Sequence, residues 1–136
     1  MTNEELDHWI AEKVMGWTHQ DIPVYKVPCG VWKGSESDDR GAYNFRVNAP
    51  GNNYYECQEC DWWHPTTNIA QAIEAAEKAR TKGRIGDWVL LSPAGNTISR
   101  PMAEITLDGG FFFSRDADAY SLALCRALYD ALRDRP

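Results

Sequence analysis

The residues best suited to chemistry are two cysteines and a histidine in the middle of the chain. Cys57 and Cys60 have the C-x-x-C spacing, His64 follows them, and Cys29 lies upstream beside a glycine. Three thiolates and one imidazole can form a tetrahedral structural zinc site. The sequence therefore suggests zinc bound by Cys29, Cys57, Cys60 and His64, although the second C-x-x-C pair of a zinc ribbon is absent. The alternative is that these cysteines are simply reduced thiols.

A second candidate site is a concentration of aromatic residues, the aromatic centre, between Trp32 and Trp63. Seven rings fall in this segment, with arginines interleaved. Flat rings can stack on a base or sugar, and guanidinium groups can grip phosphate or carboxylate. The residues predicted to line such a ligand pocket are Trp62, Trp63, His64, Tyr54, Tyr55, Arg40 and Arg46. Half-buried strands and protein interfaces use the same residue types, so packing in the core or in an interface is the alternative.

The common catalytic motifs are missing from the sequence. It contains no P-loop, no glycine-rich dinucleotide-binding motif, no G-x-S-x-G and no H-E-x-x-H. The acidic cluster of Glu36, Asp38 and Asp39 lies in a Ser/Gly-rich stretch that is typical of a solvated turn. The sequence favours a protein without catalytic activity, although it does not exclude an enzyme.

Composition and charge limit the classes of partner. The 136 residues include 14 Lys and Arg against 20 Asp and Glu, which gives a formal net charge of −6. Binding to nucleic acid without sequence preference needs the opposite charge, so we expect none. No apolar run approaches the roughly 20 residues that span a bilayer, and the acidic start has no signal-peptide pattern. We therefore expect no membrane partner and a cytoplasmic location, where the four cysteines stay reduced.

Helical periodicity marks both ends of the chain. Thr2 and Glu5 predict a capping box, and an apolar stripe from Leu6 to Trp17 predicts one helix that stops at Gly16. The last helix is predicted over 118–133, with Cys125 on its apolar face as a small buried side chain. We expect the first and last helices to lie close together.

A second helix and several short strands separate these two ends. Thr67 is predicted as the N-cap of this helix and Gly83 as its stop. Its predicted buried face consists of Ile69, Ala72, Ile73, Ala76 and either Ala79 or Arg80. Alternating apolar and polar residues predict short strands within 22–55 and over 88–91, 97–98, 103–107 and 111–114. This order predicts one α+β domain over 1–136.

Three segments carry distinctive residue patterns. Residues 5–17 end in Ala-Glu-Lys-Val-Met-Gly-Trp, residues 65–78 begin with Pro-Thr-Thr-Asn-Ile-Ala, and residues 119–132 contain Ser-Leu-Ala-Leu-Cys. Their order and spacing resemble the phage ABA sandwich family. The resemblance implies a phage or prophage protein that folds as a three-layer α-β-α sandwich with a mostly antiparallel sheet. It implies no established activity, and the segment 29–63, rich in cysteine and aromatic residues, departs from the family pattern.

Two functions follow as alternatives. The first is a non-catalytic phage or prophage accessory protein that sequesters a small, nucleotide-like host molecule. The second is a structural or protein-interaction module, with zinc as a stabilising metal in one version, that self-associates or docks on a host or virion protein. Phe111, Phe112 and Phe113 follow a Gly-Gly turn, and a strand there must point at least one ring away from the core. Such a ring could serve self-association, and we expect a homo-oligomer.

Overall fold

The computed structural model describes residues 1–24, 27–33, 47–49, 52–55, 63–91 and 100–135, with side chains in 1–18, 63–91 and 100–135. The chain divides into two units, which are described separately. The first unit is Met1–Ile10 together with His64–Pro136, and the second is Ala11–Trp63. The expectation of a single domain stays a prediction.

The described part of the chain contains three α-helices, one π-helical segment and seven strands. In chain order they are α1 (Asn3–Trp9), the π-helical segment (Ile10–Val14), β1 (Thr18–Val24), β2 (Val27–Lys33), β3 (Val47–Ala49), β4 (Asn52–Tyr55), α2 (Ile69–Thr81), β5 (Asp87–Leu91), β6 (Met102–Thr106), β7 (Phe112–Asp116) and α3 (Tyr120–Leu132). None of these helices combines the length and the apolar character that a membrane span requires.

The capping box at the start of α1 is confirmed. The Thr2 hydroxyl accepts a hydrogen bond from the Glu5 backbone N–H at 3.1 Å, and the Thr2 backbone N–H donates to the Glu5 carboxylate at 3.2 Å. Each bond satisfies a backbone donor that the first helical turn leaves unpaired. The predicted first helix is found over Asn3–Val14, where the α-helix continues as a π-helical segment after Trp9. Gly16 still ends the helical region, with a φ of +75°.

The start of α2 differs by one residue from the prediction. Asn68 is the N-cap, and its side-chain oxygen accepts a hydrogen bond from the Gln71 backbone N–H at 3.1 Å. Thr67 lies in the turn before it, where its hydroxyl donates to the His64 carbonyl at 3.3 Å. Both residue types cap helices well, so only the geometry of this turn decides between them.

The end of α2 is the predicted one, but its buried face is rotated. Gly83 has a φ of +73°, and the Arg84 N–H donates to the Ala79 carbonyl at 2.9 Å, which is the long bond of a Schellman motif. Ile69 is exposed and Ile73 half-buried, contrary to the prediction. The fully buried side chains are Ala72, Ala75, Ala76 and Ala79. This strip of small side chains allows close helix packing, and α2 packs against α3.

The sheet of the first unit has the strand order β5–β6–β7, with antiparallel neighbours. Ile105 of the central strand pairs with Trp88 on one side and Phe113 on the other, so these three residues share a face. α3 packs against β6 and β7, and α1 packs against α3, as predicted. The α+β class and the antiparallel sheet are confirmed, and the helix-on-sheet contacts support the predicted sandwich.

The opposite face of this sheet carries apolar side chains that reach solvent. Val89 and Leu91 are exposed on β5, and Phe112 is exposed at the start of β7, next to Phe111 in the turn. The predicted hairpin is confirmed, because Leu107 donates its N–H to the Phe111 carbonyl at 2.6 Å across the turn. The prediction that a phenylalanine ring points away from the core is also confirmed.

The second unit contains two antiparallel hairpins. β1 pairs with β2 from Thr18↔Lys33 to Val24↔Val27. β3 pairs with β4, with an irregularity between Val47 and Ala49. β2, β3 and β4 fall within 22–55, where the alternating pattern predicts short strands, and β1 begins before it, at Thr18. The strand predicted at 97–98 lies outside the described residues.

Candidate functional site

Most of the predicted zinc and ligand residues lie where the structure describes no side chain. Tyr54, Tyr55 and Cys29 are described by their backbone in β4 and β2. The residues outside the described ranges are Arg40, Arg46, Cys57, Cys60 and Trp62. Among the described residues, no group of three or more His, Cys, Asp or Glu side chains is arranged to hold a metal ion. The zinc site and the aromatic ligand pocket therefore stay predictions.

Trp63 is the member of the aromatic centre whose ring position is described. Its side chain is 3% exposed. Within the second unit, its ring meets the Trp17 ring edge-on, with 4.7 Å between centroids and an interplanar angle of 71°. Such pairs stabilise packing beyond the area that they bury. At this one position, the ring is in a packed contact with another ring.

His64 faces a buried carboxylate in the first unit. Its Nδ1 lies 3.4 Å from Oδ2 of Asp7, whose side chain is 5% exposed. The Thr66 backbone N–H donates to Asp7 Oδ1 at 2.8 Å, and the Thr66 hydroxyl donates to Oδ2 at 3.1 Å. Burial raises the pKa of Asp7, while the hydrogen bonds from Thr66 and His64 act in the opposite direction.

Ser121 extends this group into the buried polar centre, which consists of Asp7, His64, Thr66 and Ser121. The Ser121 hydroxyl donates to the Thr66 carbonyl at 2.9 Å, and both residues are buried. The buried polar centre therefore connects α1, the turn before α2 and the first turn of α3. Its bonds satisfy groups that would be costly to bury unpaired.

A histidine, a carboxylate and the thiol of Cys125 in the same unit are the residue types of a catalytic triad. The Cys125 side chain is fully buried, as predicted from its place on the apolar face of α3. Burial, and secondarily the charge of Asp7, raise the pKa of this thiol well above its usual value. A buried, protonated thiol is not a nucleophile. The buried polar centre thus supports the fold and gives no sign of catalysis.

An open cleft on the first unit is the better candidate for a site. It has a volume of about 360 Å³ and lies where the start of α1 approaches β7 and the second half of α3. We call it the arginine cleft, and its lining residues are Met1, Asn3, Leu6, Arg115, Arg126, Tyr129, Asp130 and Arg133. Arg126, Tyr129 and Arg133 reach it together because residues three and four apart share one side of a helix.

The arginines of the cleft are held in different ways. Arg115 donates from Nη1 to Oδ2 of Asp130 at 2.7 Å. The guanidinium carbon of Arg133 lies 5.8 Å from the centre of the Tyr129 ring, within cation–π range. Arg126 has no ion-pair partner among the described residues. Each guanidinium can still donate to an anion that enters the cleft.

The charge of the cleft is opposite to that of the chain. The lining side chains, three guanidinium groups and one carboxylate, carry a formal charge of +2, on a chain of net charge −6. Arginine forks bind phosphate and carboxylate through charge-assisted hydrogen bonds. The arrangement is therefore suited to binding an anion.

Neither the arginine cleft nor the buried polar centre is predicted from the sequence, although part of the pattern that marks each of them is local. Arg126, Asp130 and Arg133 lie off the buried face of the last helical region. Their spacing around Tyr129 marks a charged flank beside that face. Similarly, Asp7 precedes Ile10 and Val14 at helical spacing, so its side chain belongs to the buried stripe of the first helical region.

Comparison with known proteins shows a likeness in fold. No protein-family profile and no curated protein sequence matches this chain. The structure is similar to the 2.0 Å crystal structure of a phage protein from Bacillus cereus ATCC 14579, with a TM-score of 0.54 and 14% sequence identity. The alignment covers 98% of this chain and 89% of that one. At this identity the likeness concerns the fold alone, and membership of the ABA sandwich family stays a prediction.

Proposed function

We propose that this chain is a phage or prophage accessory protein that binds a small anionic molecule without converting it. The observation that carries the proposal is the arginine cleft, with its formal charge of +2 on an acidic chain. Its volume of 360 Å³ is near the lower end of the range of about 300–1,000 Å³ for ligand pockets, which favours a small ligand. The fold likeness to a phage protein supports the phage assignment.

A nucleotide-like ligand agrees with both the sequence and the cleft. Phosphate matches the guanidinium groups, and a sugar or base offers donors and a flat ring to Asp130 and Tyr129. The arginine cleft is the proposed site of this ligand, because its guanidinium groups match an anion, and the aromatic centre stays a second predicted site. The expected location is the host bacterial cytoplasm, where such metabolites are available for sequestration.

Calorimetric titration of the full chain with a panel of nucleotides tests this function. Arg126→Ala removes a cleft cation, and Arg135→Ala removes the same charge from an exposed position that does not line the cleft. We expect Arg126→Ala to weaken binding at least about tenfold, which corresponds to about 1.4 kcal/mol, and Arg135→Ala to leave it unchanged. Equal binding by wild type and Arg126→Ala, or turnover of the ligand, would contradict the proposal.

A second candidate function is a protein-interaction module. It is favoured by the exposed rings of Phe111 and Phe112, which are 70% and 62% exposed at the β6–β7 turn. Neighbouring exposed apolar side chains often mark interaction sites. A second copy of the chain could cover these rings, which gives the expected homo-oligomer, or a host or virion protein could cover them.

Light scattering of the wild type and of the double variant Phe111→Ser, Phe112→Ser tests self-association. A lower mass for the variant supports it, and a monomeric wild type contradicts it. Metal analysis of the purified chain separately tests the zinc version.

A further inference from the structure

We propose that the anion bound by the arginine cleft is the dianionic phosphate of a compact phosphate monoester. This inference rests on the proposed function and names its ligand class. It distinguishes a terminal phosphate from the diester of a cyclic nucleotide and from a carboxylate, each of which carries one negative charge. The argument uses the charge, the geometry and the size of the cleft.

Charge matching is the first step. The +2 formal charge of the lining is what remains after Asp130 has paired with Arg115. A phosphate monoester carries about −1.5 to −2 at pH 7, and so can neutralise this charge nearly completely. A single negative charge would neutralise only half of the formal charge of the lining side chains.

The positions of the arginines are the second step. Arg126 and Arg133 are seven residues apart on the same side of the last helical region, which places their backbones about 10 Å apart along the helix axis, and both side chains line the cleft. The Tyr129 ring lies under the Arg133 guanidinium, while Asp130 holds Arg115. Two of the three donors are thus oriented before the ligand arrives, which lowers the entropy cost of binding.

Asp130 suggests what the phosphate is attached to. Its Oδ2 accepts from Arg115, and no hydrogen bond to its Oδ1 is found within the described residues. A carboxylate oxygen in a cleft can accept from a ligand hydroxyl. A sugar phosphate and a nucleoside monophosphate share a phosphate beside hydroxyl groups, and the volume of 360 Å³ suits a compact ligand of this kind.

Calorimetric titrations with three ligands test the inference. They are ribose 5-phosphate, a nucleoside 5′-monophosphate, and the 3′,5′-cyclic nucleotide with the same base. We expect at least about tenfold tighter binding of the monophosphate than of the cyclic compound near pH 7.5. Equal affinity for ribose 5-phosphate and the nucleotide identifies the sugar phosphate as the recognised part, and tighter binding of the nucleotide adds the base. Each of these two results supports the proposal.

The pH dependence provides the discriminating measurement. The second pKa of a phosphate monoester is about 6, so lowering the pH from about 7.5 to 5.5 should weaken its binding several-fold. The charged and titratable groups at the cleft are the side chains of Arg115, Arg126, Tyr129, Asp130 and Arg133 and the α-amino group of Met1. Oδ2 of the highly exposed Asp134 lies 3.7 Å from Nε of Arg133. No histidine, the side chain that ordinarily titrates in this range, is among them. The cyclic nucleotide is the control, because its charge stays constant while any change in the protein affects both ligands.

The outcomes separate the two proposals. Binding of the cyclic nucleotide as tight as that of the monophosphate, or parallel pH profiles for both, overturns the monoester inference and leaves the anion-binding function standing. Absence of binding by every anion in the panel overturns both. Arg126→Ala should weaken monophosphate binding about tenfold and Arg135→Ala should not, which ties the effect to the cleft.

Discussion

Two aspartates of the first unit lie on helices and meet side-chain donors, yet they belong to opposite kinds of site. Asp7 is 4% exposed, and its carboxylate accepts two hydrogen bonds from Thr66 beside a third contact to His64. The Asp130 side chain is 22% exposed, pairs with Arg115 and faces the arginine cleft. The buried polar centre directs its hydrogen bonds to the chain itself, whereas the cleft keeps donors turned toward solvent. The first arrangement stabilises a fold, and the second can bind a ligand.

The largest effect expected from this comparison is on stability. Asp7→Ala should lower the free energy of unfolding by about 3 kcal/mol, because it leaves the buried Thr66 N–H and hydroxyl without their acceptor. Asp130→Ala removes a partly exposed ion pair and should cost less than about 1 kcal/mol. Urea denaturation of both variants measures the difference. Equal losses would show that the two carboxylates do not have the distinct roles assigned here.

Arg133 should show the opposite pattern to Asp7, with a small effect on stability and a large effect on anion binding. Arg133→Ala should change the free energy of unfolding by no more than about 0.5 kcal/mol, the usual range for a surface substitution, while weakening anion binding about tenfold. The reason is that this half-exposed side chain contacts the Tyr129 ring and a highly exposed aspartate at the cleft rim. Denaturation and calorimetry on the same preparation give both numbers. A variant that unfolds readily would place Arg133 among the residues that hold the fold.

The hydroxyl of Ser121 provides a finer test of the buried polar centre. Ser121→Ala removes the donor to the buried Thr66 carbonyl and should cost about 1 kcal/mol. Ser114 is the matched control, because its hydroxyl donates at 3.3 Å to Glu104 on the surface. Ser114→Ala should leave the denaturation midpoint nearly unchanged. If Ser114→Ala lowered the denaturation midpoint as much as Ser121→Ala, burial would not be what makes the Ser121 hydroxyl stabilising.

Features that depend on local sequence were predictable, and features that depend on tertiary contacts were not. The capping box needs only Thr2 and Glu5, and the order of helices and strands follows from periodicity. The Asp7–Thr66 bonds join residues 59 positions apart, and the cleft joins Arg115 of β7 to Asp130 of α3. No spacing rule reaches across such separations, because the pairing is decided by how the elements pack. The candidate site was therefore missed, although its helix was found.

The smallest and most diagnostic effect is the pH dependence that Asp7 adds to stability. Burial raises the pKa of Asp7 above its ordinary value of 3.8. Compared with the unfolded state, the folded state therefore favours the protonated form of Asp7. The stabilising contribution of this group is complete below pH 3.8 and is lost as the pH rises through the raised pKa. Because Thr66 and His64 partly offset the effect of burial, the loss should be modest.

Asp7→Asn isolates this contribution, because the amide keeps an acceptor for Thr66 and does not titrate. As the pH rises from about 4 to 6, the free energy of unfolding of the wild type should fall relative to that of Asp7→Asn. His64→Gln, measured in the same urea series, controls for the neighbouring imidazole. If the wild type instead gains stability over Asp7→Asn in this window, the hydrogen bonds to Asp7 outweigh its burial. The folded state would then favour the charged carboxylate of Asp7, and the contrast between the two sites would concern only their access to solvent.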